Sequence, residues 1–316
     1  RRLQGWQAQT MTKSEEARTD MEAVTDFAQI PAFEVVLPAN RQFPFVFNSP
    51  HSGRHYPERF LAMSRLDAAT IRRSEDCYVD ELFSGAIGCG APMLIANFPR
   101  AYLDVNREPW ELDPRMFRDP VPPYANIRSP RVAGGLGTVP KLVGEGLDIY
   151  SGRLSLSEAT ARIEGIYMPY HDCLKRLLID THCAFGVGIL IDCHSMPAGI
   201  RSGEGGLRPD FIIGDRFGVS AAPILTECAI GLLASRGYCV VHNKPYAGGF
   251  ITEHYGRPAQ GLHALQIEVN RGLYMNERTL EKTEGFYALM EDLTSFSHEL
   301  MLVANQYFSE YPLAAE

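Results

Sequence analysis

GVGILIDCHSMP, residues 186–197, is an apolar run that ends in a polar residue able to hold a metal, and its reading decides the fold. Two other stretches repeat the pattern: FPFVFNSPHSGR at 43–54 and HALQIEVNRG at 263–272. The three deliver His194, His51 and Glu268. Short apolar runs of this kind read as buried strands. In an α/β sheet the C-terminal strand ends converge on one crevice, where ligands bind. Two imidazoles and a carboxylate at such ends read as an assembled site.

Working outward, residues 43–49 and 93–97 predict strands, with SRLDAATIRRSEDCYVDELFSGAIG (64–88) between them as a helix capped at Ser64. Such a unit predicts parallel pairing. A second helix is expected from a Ser157 cap to Gly186, bent at Pro169, feeding the strand VGILIDC. Strands at 211–215, 238–242 and 264–269 follow, with a helix starting near Ser220 and a closing helix from an Asn276 cap to about Asn305. Strands that alternate with helices predict a three-layer α/β/α fold with a mostly parallel or mixed sheet. Residues 26–316 are expected to form one domain, behind a flexible segment at 1–25. The stretches 108–150 and 196–210 are dense in proline and glycine and predict binding loops or lids. Within the glycine-rich parts, 199–206 and 247–250 are the segments expected to close.

Composition narrows the function. The chain has 316 residues and a formal charge of −8 without a basic tract, which argues against nucleic acid. No apolar run approaches the roughly 20 residues that cross a bilayer, so no membrane partner is expected. Seven cysteines, an odd number with no C-x-x-C pair, suggest neither a disulfide framework nor a zinc knot. They point to a reduced, cytoplasmic protein. An acidic chain binds an anion only through arginines focused in one pocket.

The candidate chemistry follows from residue types. His51 sits in S-P-H-S-G-R, where Gly53 permits a tight turn, with His55 as an alternative ligand. His194 follows Asp192 by two positions, so in a strand the two share a face and one can orient the other. Two imidazoles ask for a carboxylate to complete a catalytic metal set with an open position. Glu75 and Asp76 are the candidates. On a helix they point about 100° apart, and Asp76 is preferred because it shares the inward face of Val79 and Phe83. Glu268 lies in an otherwise apolar strand, where burial raises its pKa and suits it to general base work. A salt bridge to Arg271 or Arg107 is the structural alternative. Arg100, Asp104, Asn106 and Arg107 fall within eight residues, and an Asn-Arg pair there suits a carboxylate. Two imidazoles and a carboxylate suit zinc, although iron, cobalt or manganese also occupy such sites.

The motifs FNSPHSGRHYP, SEDCYVDELF, RAYLDVNRE, LIDCHSMP and GGFITEHYGRPAQGLHALQIEVNRGLYM together resemble the N-formylglutamate amidohydrolase family, over about residues 43–305. The resemblance implies an α/β/α fold distantly similar to zinc carboxypeptidases and aspartoacylases. It implies hydrolysis of N-formylglutamate, a small anionic N-acyl amino acid, to glutamate and formate in histidine breakdown. It also implies one Zn2+ on His51, Asp76 (or Glu75) and His194, with Asn106 and Arg107 on a substrate carboxylate and Glu268 as base. Arg201 is the loop residue expected on a second carboxylate. One departure stands out: the carboxypeptidase-like relatives use an H-x-x-E pair, and here the position three after His51 is Arg54. The carboxylate ligand must then come from elsewhere.

Overall fold

The structure, a computed structural model, describes residues 27, 29–144, 146–202 and 206–310; the segment 1–25 lies outside them. Its centre is a seven-stranded mixed sheet of β1 (Phe33–Val36), β2 (Phe45–Ser49), β3 (Met93–Ala96), β4 (Gly188–Met196), β5 (Phe211–Gly214), β6 (Val240–His242) and β7 (Leu262–Asn270). Their spatial order is β1-β3-β2-β4-β7-β5-β6. β3, β2, β4 and β7 run parallel, whereas β1 is antiparallel to β3 and β5 to β7, with β6 parallel to β5. The expected strands are all present. β1 was not expected: FEVV is four residues on a partly exposed edge, too short for periodicity to show.

The helices are α1 (Glu58–Met63), α2 (Val79–Leu82), α3 (Gly85–Gly88), α4 (Pro130–Ala133), α5 (Leu156–Arg162), α6 (Met168–Phe185), α7 (Pro223–Ser235), α8 (Phe250–Tyr255) and α9 (Gly285–Glu310). Side-chain alternation along the strands divides the core in two. Ile189, Ile191 and Cys193 of β4 and Leu265, Ile267 and Val269 of β7 pack with α2, α3, α7 and α9. Leu190 and Ala264 face the other way, onto α5, α6 and α8. No described helix is long and apolar enough to cross a membrane.

Three expected boundaries are corrected. The helix predicted over 64–88 is broken: Ser64 caps the end of α1, a 3-10 turn spans Thr70–Ser74, and α2 begins only after Tyr78, whose φ is 64°. The break has a cause. The Asp76 amide donates to the His51 carbonyl at 2.9 Å, which pulls the segment from helical geometry onto the end of β2. Ser155, not Ser157, caps α5, and a π-turn at Ile163–Tyr167 separates it from α6 just before Pro169. The helix expected near Ser220 starts at Pro223, and the Ser220 hydroxyl donates to the Ala264 carbonyl at 2.8 Å. Asn276 belongs to a small hairpin of β8 (Met275–Asn276) and β9 (Glu281–Lys282), and α9 starts at Gly285.

Candidate active site

Even-numbered positions of β4 and β7 turn from apolar to polar toward the C-terminal ends. Leu190 is followed by Asp192 and His194, and Ala264 by Gln266 and Glu268. β2 does the same, with Val46 followed by Asn48. Register sets these side by side: Asn48 opposite Asp192, and His194 opposite Glu268. The Asn48 amide donates to Asp192 Oδ1 at 2.8 Å, and Asp192 Oδ2 lies 2.9 Å from His194 Nε2. His51 stands just beyond β2. Gly53 behind it is required by packing, since a Cβ there would fall 2.0 Å from the Phe98 carbonyl oxygen.

Asp76 reaches both imidazoles. Its Oδ2 lies 3.1 Å from His194 Nδ1 and 3.4 Å from His51 Nδ1. The ring centroids are 4.9 Å apart. One donor atom from each of His51, Asp76 and His194 falls within 4.8 Å of the others, and all three residues are buried. Glu75, the alternative, turns the other way: it pairs with Arg72 Nε at 2.8 Å and receives the Cys77 thiol. The break at 74–78 permits both placements, so the helical argument of a shared face does not operate. His55 sits edge-on against Phe27, outside the cluster.

The cluster fits a metal ion on the chemistry of its donors. Among the described residues, His51 Nδ1 is buried and has no hydrogen-bond partner. The far nitrogen of each ring meets a carboxylate: Asp104 Oδ1 at 2.8 Å from His51 Nε2, and Asp192 at His194 Nε2. Such outer carboxylates fix the tautomer that leaves the other nitrogen free for a cation. Burial opposes charge on Asp76, yet the His194 and His51 imidazoles beside it hold it well below the usual carboxylate range. Burial also opposes charge on His194, but Asp192 and then Asp76 lift it well above an ordinary imidazole. Arg271 braces the group, with Nη2 3.0 Å from Asp76 Oδ1 and Nε 3.0 Å from Ser195 Oγ.

Glu268 faces the same space. Its Oε1 accepts from Gln266 Nε2 at 2.9 Å, and burial pushes its pKa up to about 7 against the pull of His194, Arg100 and Arg271. Arg271 is committed to Asp76 rather than to Glu268. Gln266 escaped the sequence reading, although a period-two polar pair in an apolar strand was a visible signal. Its Oε1 accepts from the Gly249 amide at 2.8 Å. Gly249 is indispensable: a Cβ there would lie 2.3 Å from the Asn106 amide nitrogen. The loop 247–250, expected to close, is thus fastened by Gln266 and by Asn106, whose Oδ1 accepts from the Ile251 amide at 2.8 Å.

Asp104 is the second hub that the sequence reading left without a role. Besides His51, it takes Arg100 Nε at 3.0 Å and Arg107 Nη2 at 3.4 Å. Burial opposes its charge, but Arg107 and Arg100 hold it well below the usual range. Arg107 also donates from Nε to the Leu136 carbonyl and from Nη1 to the Asn106 carbonyl, both at 2.7 Å. Arg100 lines the cavity as well. Arg201 is exposed in the 196–210 loop, 3.5 Å from the Gly206 carbonyl, and does not line the cavity. Residues 203–205 of the other expected lid lie outside the described residues. The cavity itself measures ≈ 740 Å³ and brings together His51, Asp104, His194, Glu268 and several arginines.

Three converging ligand atoms beside a proton-seeking buried carboxylate, at the strand ends of a layered α/β/α sheet, have the architecture of a hydrolase. The family model for N-formylglutamate amidohydrolase matches residues 43–275. An N-formylglutamate deformylase of Pseudomonas putida is 31% identical over 255 residues, covering 80% of this chain and 87% of that protein. That of Pseudomonas aeruginosa is 28% identical over 252 residues, covering 78% and 87%. The crystal structure of N-formylglutamate amidohydrolase from Ralstonia eutropha JMP134 superposes with a TM-score of 0.81 at 34% identity, over 88% of this chain and 99% of that one. Gene product Atu2144 of Agrobacterium tumefaciens shares the fold, with a TM-score of 0.59 at 20% identity over 88% and 96% of the two chains. The chain belongs to the N-formylglutamate amidohydrolase family, hydrolases that act on an amide.

Proposed function

We propose that this protein hydrolyses the formamide bond of N-formyl-L-glutamate, giving L-glutamate and formate, with one zinc ion on His51, Asp76 and His194. The observation that carries this reading is the facing pair on β4 and β7: a metal-competent cluster containing His194, and Glu268 opposite it in register with its pKa near 7. The substrate comes from the relatives' names; a degradative role in histidine breakdown is part of the proposal. A divalent ion in such a cluster supplies Lewis acidity to a carbonyl oxygen and acidifies a bound water.

The chain's own residues do the rest. Glu268, poised near neutrality, takes the proton of the attacking water as its oxygen adds to the formyl carbon. The resulting carboxylic acid hands that proton to the amide nitrogen as the C–N bond breaks. Gln266 keeps Glu268 aimed by holding Oε1, leaving Oε2 for the water. Arg100 and Arg107, both seated on Asp104, grip the α-carboxylate through their outward N–H groups. Asn106 positions the 247–251 backbone against the site. A second reading draws on size: the cavity exceeds what a small N-formyl amino acid fills, and Leu136, Pro140 and Val143 give it an apolar wall. A larger N-acyl group suits that space.

The test is formate release from N-formylglutamate by the metal-loaded protein, with and without a chelator, beside N-acetyl and N-formyl analogues. Chelator-sensitive formate release is expected. Amine release from N-acetylglutamate without formate release from the formyl compound would shift the reading to a deacylase.

A further inference from the structure

The cavity holds more positive charge than its protein partners neutralise. Six arginines line it. Arg100 and Arg107 lean on Asp104, Arg271 on Asp76, and Arg216 on Glu253. Among the described residues, the side chains of Arg73 and Arg131 make no hydrogen bond or ion pair. Arg73 is exposed, but Arg131 is half-buried.

Arg131 is also rigidly carried. It sits on α4, where the Ser129 hydroxyl accepts from the Val132 amide at 3.0 Å and donates to the buried Glu111 carboxylate. The Leu136 carbonyl, just beyond that helix, takes Arg107 Nε. One braced segment therefore carries Arg131 and clamps Arg107. The two cations feel each other: burial first, and Arg131 among the neighbouring charges, depress Arg107 to about 10. Like charges gathered in a cavity without a counter-ion destabilise the empty protein and are relieved by a bound anion.

We infer that Arg131 is the specificity-determining cation that receives the second, side-chain carboxylate of a dicarboxylic N-acyl amino acid. The substrate in this inference rests on the proposed N-formylglutamate reading; the anion site rests on the cavity alone. Arg107 and Arg100 are left for the α-carboxylate, and a planar guanidinium suits two-point contact with the other. Nothing in the local sequence marked Arg131, because a single arginine in a proline-rich loop carries no periodic signal.

The experiment compares wild type, Arg131→Gln and Arg131→Lys on N-formylglutamate and on its neutral isostere N-formylglutamine. Loss of a charge-assisted contact should raise KM for N-formylglutamate by about tenfold to a hundredfold in Arg131→Gln, with kcat within a few fold. Turnover of N-formylglutamine should be unchanged, and Arg131→Lys should recover part of the loss. An unchanged KM, or equal losses on both substrates, overturns the inference. Calorimetric titration with glutarate, a dicarboxylate lacking an amide, separates this from the catalytic reading. Binding to the wild type should weaken about tenfold or more in Arg131→Gln. If the wild type releases no formate, the proposed reaction falls while the glutarate titration still decides the anion site. Absent glutarate binding to wild type, or equal binding to both proteins, overturns it.

Discussion

β4 and β7 present two opposite chemistries from one backbone. On one face Ile191, Cys193, Ile267 and Val269 are sealed under helices with no polar group to satisfy. On the other, Asp192, His194, Gln266 and Glu268 are as deeply buried and almost wholly polar. The histidines mark the contrast. His263, at the N-terminal end of β7, accepts the Ala222 amide at 3.2 Å and lies tilted against Phe308; burial alone depresses its pKa to about 4. His194, on the adjacent strand, is lifted well above the ordinary value by two carboxylates. Burial penalises charge in both places, and the outcome turns on whether a counter-charge was built beside the ring. One face is therefore a stability device, and the other spends stability to hold charged groups at the candidate site.

That division makes separable predictions. The largest effect is expected at Glu268: Glu268→Gln should lower kcat on the order of 10²–10⁴-fold, the usual worth of a general acid–base. Metal content by elemental analysis and the urea midpoint should be unchanged; full activity would remove Glu268 from the mechanism. On the opposite face, Ile191→Ala should cost about 2–5 kcal/mol of stability by denaturant titration, while the surviving folded fraction keeps its kcat. A loss of kcat there would mean that the two faces are coupled. Asp192→Asn should weaken metal binding by about 10–100-fold, read by competition with a chromophoric chelator. Normal affinity would leave Asp192 a purely structural partner of Asn48. The smallest effect is the pH dependence of stability from His263. Its folded pKa is depressed, so the unfolded chain binds the proton more readily. Its contribution is complete above about 6.5 and is lost as pH falls toward about 4, by roughly 1.4 kcal/mol between pH 6 and pH 5. His263→Leu should flatten the stability profile in that window; an unaltered slope would place a counter-charge near the ring.

Much of the site was legible because strand alternation is a local rule. An apolar run ending in D-C-H or Q-I-E announces where the sheet face changes character, and His51, His194 and Glu268 all lie at such points. The carboxylate partner was less legible. SEDCYVDELF carries helical spacing, and only the His51 carbonyl, which captures the Asp76 amide, breaks that helix and sends Glu75 and Asp76 in different directions. Asn276 likewise looked like a helix cap by residue type, but its neighbourhood placed it in a small hairpin.

The sequence by itself determined the layered fold, the family and the three strand ends where the candidate site lies, because hydrophobic period and motif order are written along the chain. Only the tertiary structure decided which carboxylate meets the imidazoles, that Asp104 joins His51 to two arginines, and that Arg131 makes no ion pair among the described residues. Those facts depend on distances between residues remote in the chain, and such distances are set by register and packing rather than by any local pattern.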